Sequence, residues 1–414
     1  MVAYFNVYCA LCSCCLVDSI QIGSSSPRHL TIRRAQVARR TYYRSIGSIY
    51  YETDDETEEE KDERLKQMPW LREAAEADDG LDTDSLAGEM DEPSYDPDVL
   101  GLSRSDLRWL YEIVALGIAT DRPPGEKEYF ISECEYDDRN VIYIDNSQSS
   151  VDIGTRRYFA YGVSDLPDPP VFPMHKACLD LLSRALFGVV NVDRIQKDIL
   201  YDVMHDLTDF CKLDLNYGDI TGADQDWQCV PGEEYSIIPP TDDLDLAEDV
   251  RSEVAGKSIF ERGAQTSRLD LRGKVVRDPF ANLPYDVTYY ILQYLPSESV
   301  LALNRASWTI FARTRNNSFW KRRLAQDMPW VWEIRPFLDA QEEGNERTQE
   351  KIDSKLMYIR LEKQTRPVYG MSGPYMGLAN RRRIWGPCSE LAERYHARLR
   401  KLKEGGEGAG PEVA

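Results

Sequence analysis

Four residues in this chain have the types and spacings that suit a metal ion. Cys9 and Cys12 form a Cys-x-x-Cys pair, and His175 and Cys178 form a His-x-x-Cys pair within "FPMHKACLDLL". A Cys-x-x-Cys turn brings two thiolates to one point. His175 and Cys178, at i and i+3 on the first turn of a predicted helix, offer an imidazole and a thiolate on one face. Three sulfurs and one nitrogen make the Cys₃His set of a tetrahedral structural zinc site. The long separation between the pairs is no obstacle if the N-terminal residues pack on the later segment. Cys14 and Cys15 crowd the first pair, so which thiols would bind stays open, and buried free cysteines are the simpler alternative.

Little else in the chain has catalytic spacing. There is no phosphate-binding Gly loop, nucleophile elbow, metalloprotease helix or dinucleotide fingerprint. His29, His175, His205 and His396 leave few general bases. His205 falls on a predicted amphipathic helix with a surface or core role, and His396 in "RYHARLRKL" reads as solvated. Cys134, Cys211, Cys229 and Cys388 read as small buried hydrophobes. Cysteine and histidine are too sparse for a RING, which needs two closed zinc sites. Arg381, Arg382 and Arg383 read as solvated charge, because three adjacent arginines cannot share one helical face. The chain is therefore expected not to be an enzyme.

Composition narrows the partners. A formal net charge of -21 over 414 residues opposes nucleic-acid and anionic-membrane binding, since both targets are negative. The charge is uneven. Residues 52–98 hold 20 acids against 4 bases, a net of -16, while 279–403 hold 21 bases against 13 acids, a net of +8. Nine cysteines, four clustered at Cys9 to Cys15 and the rest scattered, do not make a disulfide scaffold and point to a reducing setting, cytoplasmic or nuclear. Arg33, Arg34, Arg39 and Arg40 read as a candidate nuclear address, though such runs are common on ordinary surfaces. The apolar start "VAYFNVYCALCSCCLV" lacks a basic flank and is short of the about 20 residues of a spanning helix.

The expected fold class is α+β. Residues 1–51 and 100–240 form an irregular α+β unit, interrupted by a disordered acidic insertion at 52–99. Residues 241–277 are a linker, 278–330 a three-helix bundle, 331–403 a helical C-terminal extension and 404–414 a disordered tail. Within the first unit, "SRSDLRWLYEIVALGI" places Leu107, Leu110, Val114 and Ile118 near one helical face. "EYFISECEY" and "VIYID" read as a hairpin, "RRYFAYGV" as a further strand and "DLPDPPVFP" as a Pro-rich loop. Helices follow in "MHKACLDLLSRALFG", stopped by Gly188, and in "VDRIQKDILYDVMHDL".

The densest apolar block is "LPYDVTYYILQYLPSESVLALNRAS", Leu283 to Ser307. Pro284 suits a first helical turn, Leu283, Val287, Ile291, Leu292 and Leu295 share a predicted face, and Pro296 ends that helix. Val300, Leu301 and Leu303 form a second cluster, followed by Trp308, Phe311, Phe319 and Trp320. Short helices with this much apolar surface expose a patch, and such patches usually meet a partner.

The order Leu283-Pro284, Asp286, Ile291-Leu292, Leu295-Pro296, Val300 to Leu303, Arg305-Ala306-Ser307 and Phe319-Trp320-Lys321 resembles the F-box. Asp286 departs mildly, since Glu is commoner there. The Cys-x-x-Cys, "FPMHKAC", "WQCVPGEEY", "MPWVWE" and "LANRRRIW" stretches resemble a group of fungal F-box proteins over most of residues 1–400. The resemblance implies a substrate-receptor subunit of an SCF (cullin-type) ubiquitin ligase. Its F-box, through Leu283, Pro284, Val287, Ile291, Leu292, Leu295, Leu301, Leu303 and Trp320, would dock the linker subunit and through it a cullin. The rest of the chain would select an unknown protein substrate. The alternative is a scaffold protein that uses an F-box-like bundle outside any ligase.

Overall fold

The computed structural model describes residues 7–16, 21–22, 107–137, 141–144, 156–162, 168–218, 228–229, 234–241, 277–335, 353–368 and 371–407, less single positions at 15, 121, 124, 210 and 372. The acidic segment at 52–99, the basic stretch at 24–46, nearly all of the linker and the tail beyond 407 lie outside these residues. The fold is α+β, and it divides into two compact units, Met1–Pro240 with Pro367–Ala414, and Thr241–Arg366.

In chain order the first unit carries β1 (Gln21–Ile22), β2 (Ile113–Ile118), β3 (Tyr129–Glu133), β4 (Glu135–Asp137), β5 (Val141–Ile144), β6 (Arg156–Phe159) and β7 (Phe172–His175). Helices α1 (Lys176–Phe187) and α2 (Lys197–Asp206) follow, then the short strands β8 (Thr208–Asp209), β9 (Lys212–Leu213) and β10 (Gln228–Cys229). The main sheets have the orders β3-β2-β7 and β4-β5-β6, all antiparallel.

Central β2 has six buried residues out of six, which corrects the helix expected through Val114 and Ile118. Only Arg108–Leu110 coil, as one 3-10 turn. A strand covered on both faces is apolar at every position, and the β-branched run beginning Ile113-Val114 fits that pattern better than a helical period. Gly117 is required there, because a Cβ would lie 2.6 Å from Val171 Cγ1 and 2.7 Å from Phe130 Cζ. The expected hairpin exists in part: β4 pairs with β5, while β3 turns back onto β2. The Pro-rich loop gives its end to β7, and Pro173 is tolerated because β7 is an edge of its sheet.

The first unit is closed by a helix from the far end of the chain. The expected single extension at 331–403 is divided, with Pro367 onward belonging here. The 32-residue helix at Met376–Glu407 buries Ile384, Cys388, Leu391, Ala392 and Tyr395 and packs on α1 and α2. Gln196 N–H donates to the Tyr395 hydroxyl at 3.0 Å. His396 is half-buried with Nε2 3.2 Å from the Leu186 carbonyl, which corrects its reading as solvated.

The second unit contains α3 (Tyr285–Tyr294), α4 (Ser297–Ala306), α5 (Trp308–Arg313), α6 (Asn317–Asp327) and α7 (Ser354–Gln364), which makes the helix just described α8. Four helices, not three, lie between Tyr285 and Asp327, because the Ser307 hydroxyl accepts from Ile310 N–H and starts a separate short helix. Pro284 and Pro296 stand at N-caps, each just outside its helix. The core joins Leu292, Val300, Ile310, Phe319, Trp320 and Leu324 to Met357, Tyr358 and Leu361 of α7, so this unit runs past the expected boundary at 330.

Asp278 ties the approach to α3 to the start of α5. Its carboxylate accepts from Thr309 N–H at 2.9 Å, Phe280 N–H at 3.0 Å and the Ser307 hydroxyl at 2.9 Å. Slight desolvation raises its pKa, but those donors outweigh it and hold the carboxyl below its ordinary value. A lowered carboxylate pKa stabilises the fold above about pH 4 and stops doing so as pH falls through the lower folded value. Asp278→Ala is expected to cost about 1 kcal/mol, as for a lost helix cap. Thermal melts from pH 7 to pH 2 check this: the gap between the two proteins should close at the acid end.

Candidate metal centre and candidate docking face

The first unit gathers four donors into one place. The ligand atoms of Cys9, Cys12, His175 and Cys178 lie within 4.8 Å of one another, and all four residues are fully buried. Sulfurs around zinc, with bonds of about 2.3 Å, stand roughly 3.8 Å apart, so the widest pair needs to close by about 1 Å. The donor set and its burial therefore fit a metal ion.

Local structure explains the convergence. His175 is the N-cap of α1 and Cys178 lies in its first turn, positions whose side chains meet as in a capping box. The Cys9–Cys14 turn is closed by Cys9 N–H to the Cys14 carbonyl at 2.7 Å and Ser13 N–H to the Cys9 carbonyl at 2.9 Å. Ser13 takes φ 57°, a left-handed conformation unusual for a non-glycine residue. The turn lies along the open edge of β7, where Ala10 N–H donates to the Pro173 carbonyl at 2.9 Å. Tyrosines hold it from other sides: Tyr161 hydroxyl donates to the Tyr8 carbonyl at 2.6 Å, and Tyr217 hydroxyl to the Ala10 carbonyl at 2.9 Å.

Backbone amides point at the sulfurs. His175 N–H donates to Cys9 Sγ and Cys14 N–H to Cys12 Sγ, each at 3.4 Å. His175 Nδ1 lies 3.3 Å from Cys12 Sγ, while Nε2 is buried without a hydrogen-bond partner among the described residues, and the ring packs edge-on to Trp109. Burial opposes charge on Cys9, yet hydrogen bonds with Cys12 and Cys178 and the His175 charge hold its thiol well below the usual range. Burial pushes the Cys12 and Cys178 thiols well up. Burial would keep His175 neutral, but the Cys9 charge raises its pKa. A cluster with one acidic thiol among protonated ones is ready to exchange protons for a cation.

The ambiguity over Cys14 resolves geometrically. Cys14 Sγ lies outside the four-ligand group and accepts from Arg383 Nη2 at 3.4 Å. Cys15 is outside the described residues. Cys211 and Cys388 are buried as expected, Cys134 is half-buried, and the Cys229 side chain is not described. Arg381 and Arg383 are both buried, which corrects their reading as solvated. They point different ways, and α8 is covered on both sides: Arg381 Nε donates to the Pro240 carbonyl at 2.9 Å and Arg383 Nη1 to the Cys12 carbonyl at 2.7 Å. The apolar residues Leu378, Ala379 and Ile384 around the triplet were the available signal for burial.

In the second unit the predicted docking residues separate. Val287 is 43% exposed and Pro284 is exposed, while Leu283, Ile291, Leu295, Leu301 and Leu303 are half-buried. Leu292 and Trp320 face the core at 2% and 1% exposure, so their side chains are not available to a partner. Tyr290 at 60% and Tyr294 at 83% exposure were not singled out, although their i+3 and i+7 spacing from Val287 was legible. Val287, Tyr290, Ile291 and Tyr294 make one outward stripe on α3. Arg323 was also missed. Its guanidinium is buried, donates to the carbonyls of Leu292 at 2.7 Å and of Leu295, and pairs with Asp327, so it caps the end of α3.

Among the described residues no helix is long and apolar enough to cross a membrane. Comparison with protein-family models, curated proteins and solved structures returns no match to this chain.

Proposed function

We propose that this chain is a non-enzymatic adaptor of the F-box type, working in the reducing cytoplasm or nucleus. The outward stripe of α3 docks the linker subunit of an SCF (cullin-type) ubiquitin ligase, and the first unit selects a protein substrate. One observation supports this reading above the others. A small helical bundle with a well-filled core still leaves Val287, Tyr290 and Tyr294 exposed on its first helix. Apolar and aromatic side chains arranged at i, i+3 and i+7 are a helix-borne interface of the kind hot spots favour.

The metal of the first unit is, in this reading, zinc in a structural role. Cys9, Cys12, His175 and Cys178 would hold it, and a closed four-ligand set leaves no position for a reacting molecule. The ion supplies folding energy, while the chain's own part is to orient the ligands through β7, α1 and the Cys9–Cys14 turn.

The docking test uses Val287→Asp combined with Tyr290→Asp. Both side chains are exposed, so the bundle should remain folded. Two hot spots of about 2 kcal/mol each predict a loss of roughly a thousandfold in affinity for purified linker subunit. Calorimetric titration of a variant with unchanged helical signal reads the result. Equal affinity in the two proteins overturns the docking face, and no binding by wild type favours the scaffold alternative.

A further inference from the structure

Arg383 presents a charge problem. Its side chain lies on α8 with a residue exposure of 8%, and no carboxylate pairs with it among the described residues. Its donors go to the Cys12 carbonyl at 2.7 Å, Cys14 Sγ at 3.4 Å and Asn380 Oδ1 at 2.9 Å from Nη2 and 3.2 Å from Nε. Asn380 is fixed in the orientation that accepts, because its Nδ2 donates to the Ile238 carbonyl at 2.7 Å. Burying a guanidinium with no carboxylate beside it is strongly unfavourable unless sulfur supplies the opposite charge, and arginine does not escape by losing its proton.

A metal centre on these ligands would supply that opposite charge. A divalent ion with three thiolates and a neutral imidazole carries one net negative charge. That charge, buried without a cation, would be as costly as the arginine is alone. Arg383 reaches the backbone carbonyl of one ligand, Cys12, and the thiol two residues on, so the two charges are neighbours. We propose that Arg383 is the charge-balancing, positioning residue of the metal centre, and that it makes metal binding and the docking of α8 on the rest of the first unit a single event. This rests on the metal reading given above. Pro387, inside α8, has no N–H for the Arg383 carbonyl, so one rung of the helical ladder is absent beside this residue.

The experiment compares Arg383→Gln, Arg383→Lys and Arg381→Gln with wild type. Gln keeps a donor for the Cys12 carbonyl and removes the charge. Lys keeps the charge and loses the forked geometry. Arg381→Gln disturbs the neighbouring buried arginine, whose Nε donates to the Pro240 carbonyl. Zinc affinity is read by competition with a chromogenic chelator. Arg383→Gln should bind zinc 10- to 100-fold more weakly, the usual loss for a residue supporting metal ligands. Arg383→Lys should retain most of the affinity, and Arg381→Gln should melt lower but bind within about threefold of wild type. In the cobalt-substituted proteins the sulfur-to-cobalt absorption band should move to lower energy in Arg383→Gln and stay in place in Arg381→Gln. Wild-type zinc affinity in Arg383→Gln overturns the proposal while leaving the metal site standing. A wild-type protein without stoichiometric metal overturns both. Should Arg383→Gln not fold, Arg383→Lys decides: retained zinc supports the charge role, and a folded, zinc-free Lys variant refutes it.

Discussion

On the zinc reading proposed above, removing the metal with a strong chelator, or replacing Cys12 and Cys178 together by serine, should unfold the unit built from Met1–Pro240 and Pro367–Ala414. Structural zinc sites contribute an apparent ~10–16 kcal/mol at neutral pH. Whole domains are stable by only about 5–15 kcal/mol. The loss is therefore enough to abolish the unit. Scanning calorimetry should show its transition vanish in the chelated protein and in the double variant, while the Thr241–Arg366 transition remains. Cys14→Ser, outside the four-ligand group, should keep the metal. Acid acts in the same direction as the chelator. Cys12 and Cys178 are protonated in the metal-free cluster, and His175 has a raised pKa, so binding must expel protons and affinity falls as pH falls. Two intact transitions after complete removal of metal would refute a structural role.

Trp320→Ala should cost about 3–5 kcal/mol, the second largest effect expected here. The indole is 1% exposed, its Nε1 donates to the Thr314 carbonyl at 2.6 Å, and it packs against Phe319 and Tyr358. Lys355 Nζ lies 5.2 Å above its ring. Truncation leaves a cavity, an orphaned carbonyl and an ammonium without its aromatic face. Denaturant melts of the Thr241–Arg366 transition measure the loss. On the docking reading proposed above, the outcome separates Trp320 from the exposed stripe of α3: the variant should lose linker-subunit binding only in proportion to the fraction unfolded. A folded Trp320→Ala protein that no longer binds the linker subunit would return the side chain to the interface.

Local signals were legible in the sequence, and a distant pairing was legible only where ligand chemistry marked both ends. Gly188 ends α1 in a left-handed conformation, which needs only one turn to be read. The Cys-x-x-Cys and His-x-x-Cys pairs meet although Cys12 and His175 are 163 positions apart, because together they make one complete ligand set. The strand at Ile113–Ile118 was misread because a run apolar at every position also contains every helical period. The fate of α8 was hidden for a different reason. Nothing in "LANRRRIW" records that Pro240 and the Cys9–Cys14 turn, far away in sequence, would cover its two sides. On α3 the aliphatic residues were legible, but which were core depended on α6, so Leu292, with Trp320 of α6, was assigned to the docking face and the exposed Tyr290 and Tyr294 were not.

The closing of the first unit by α8 has a consequence for how the protein is made. Cys12 and Arg383 are separated by 371 positions. At a ribosomal rate of roughly 5–20 residues per second, the Cys9–Cys14 turn waits about 20–70 s before its arginine is synthesised. The Thr241–Arg366 unit is synthesised whole within that interval and leaves the ribosome ahead of Arg383, so it can fold first. During translation the cysteines thus wait as thiols for α8 and, on the reading proposed above, for the metal. A chain truncated shortly after Arg366 would carry a complete bundle, competent in its own contacts, attached to a first unit that can never finish folding.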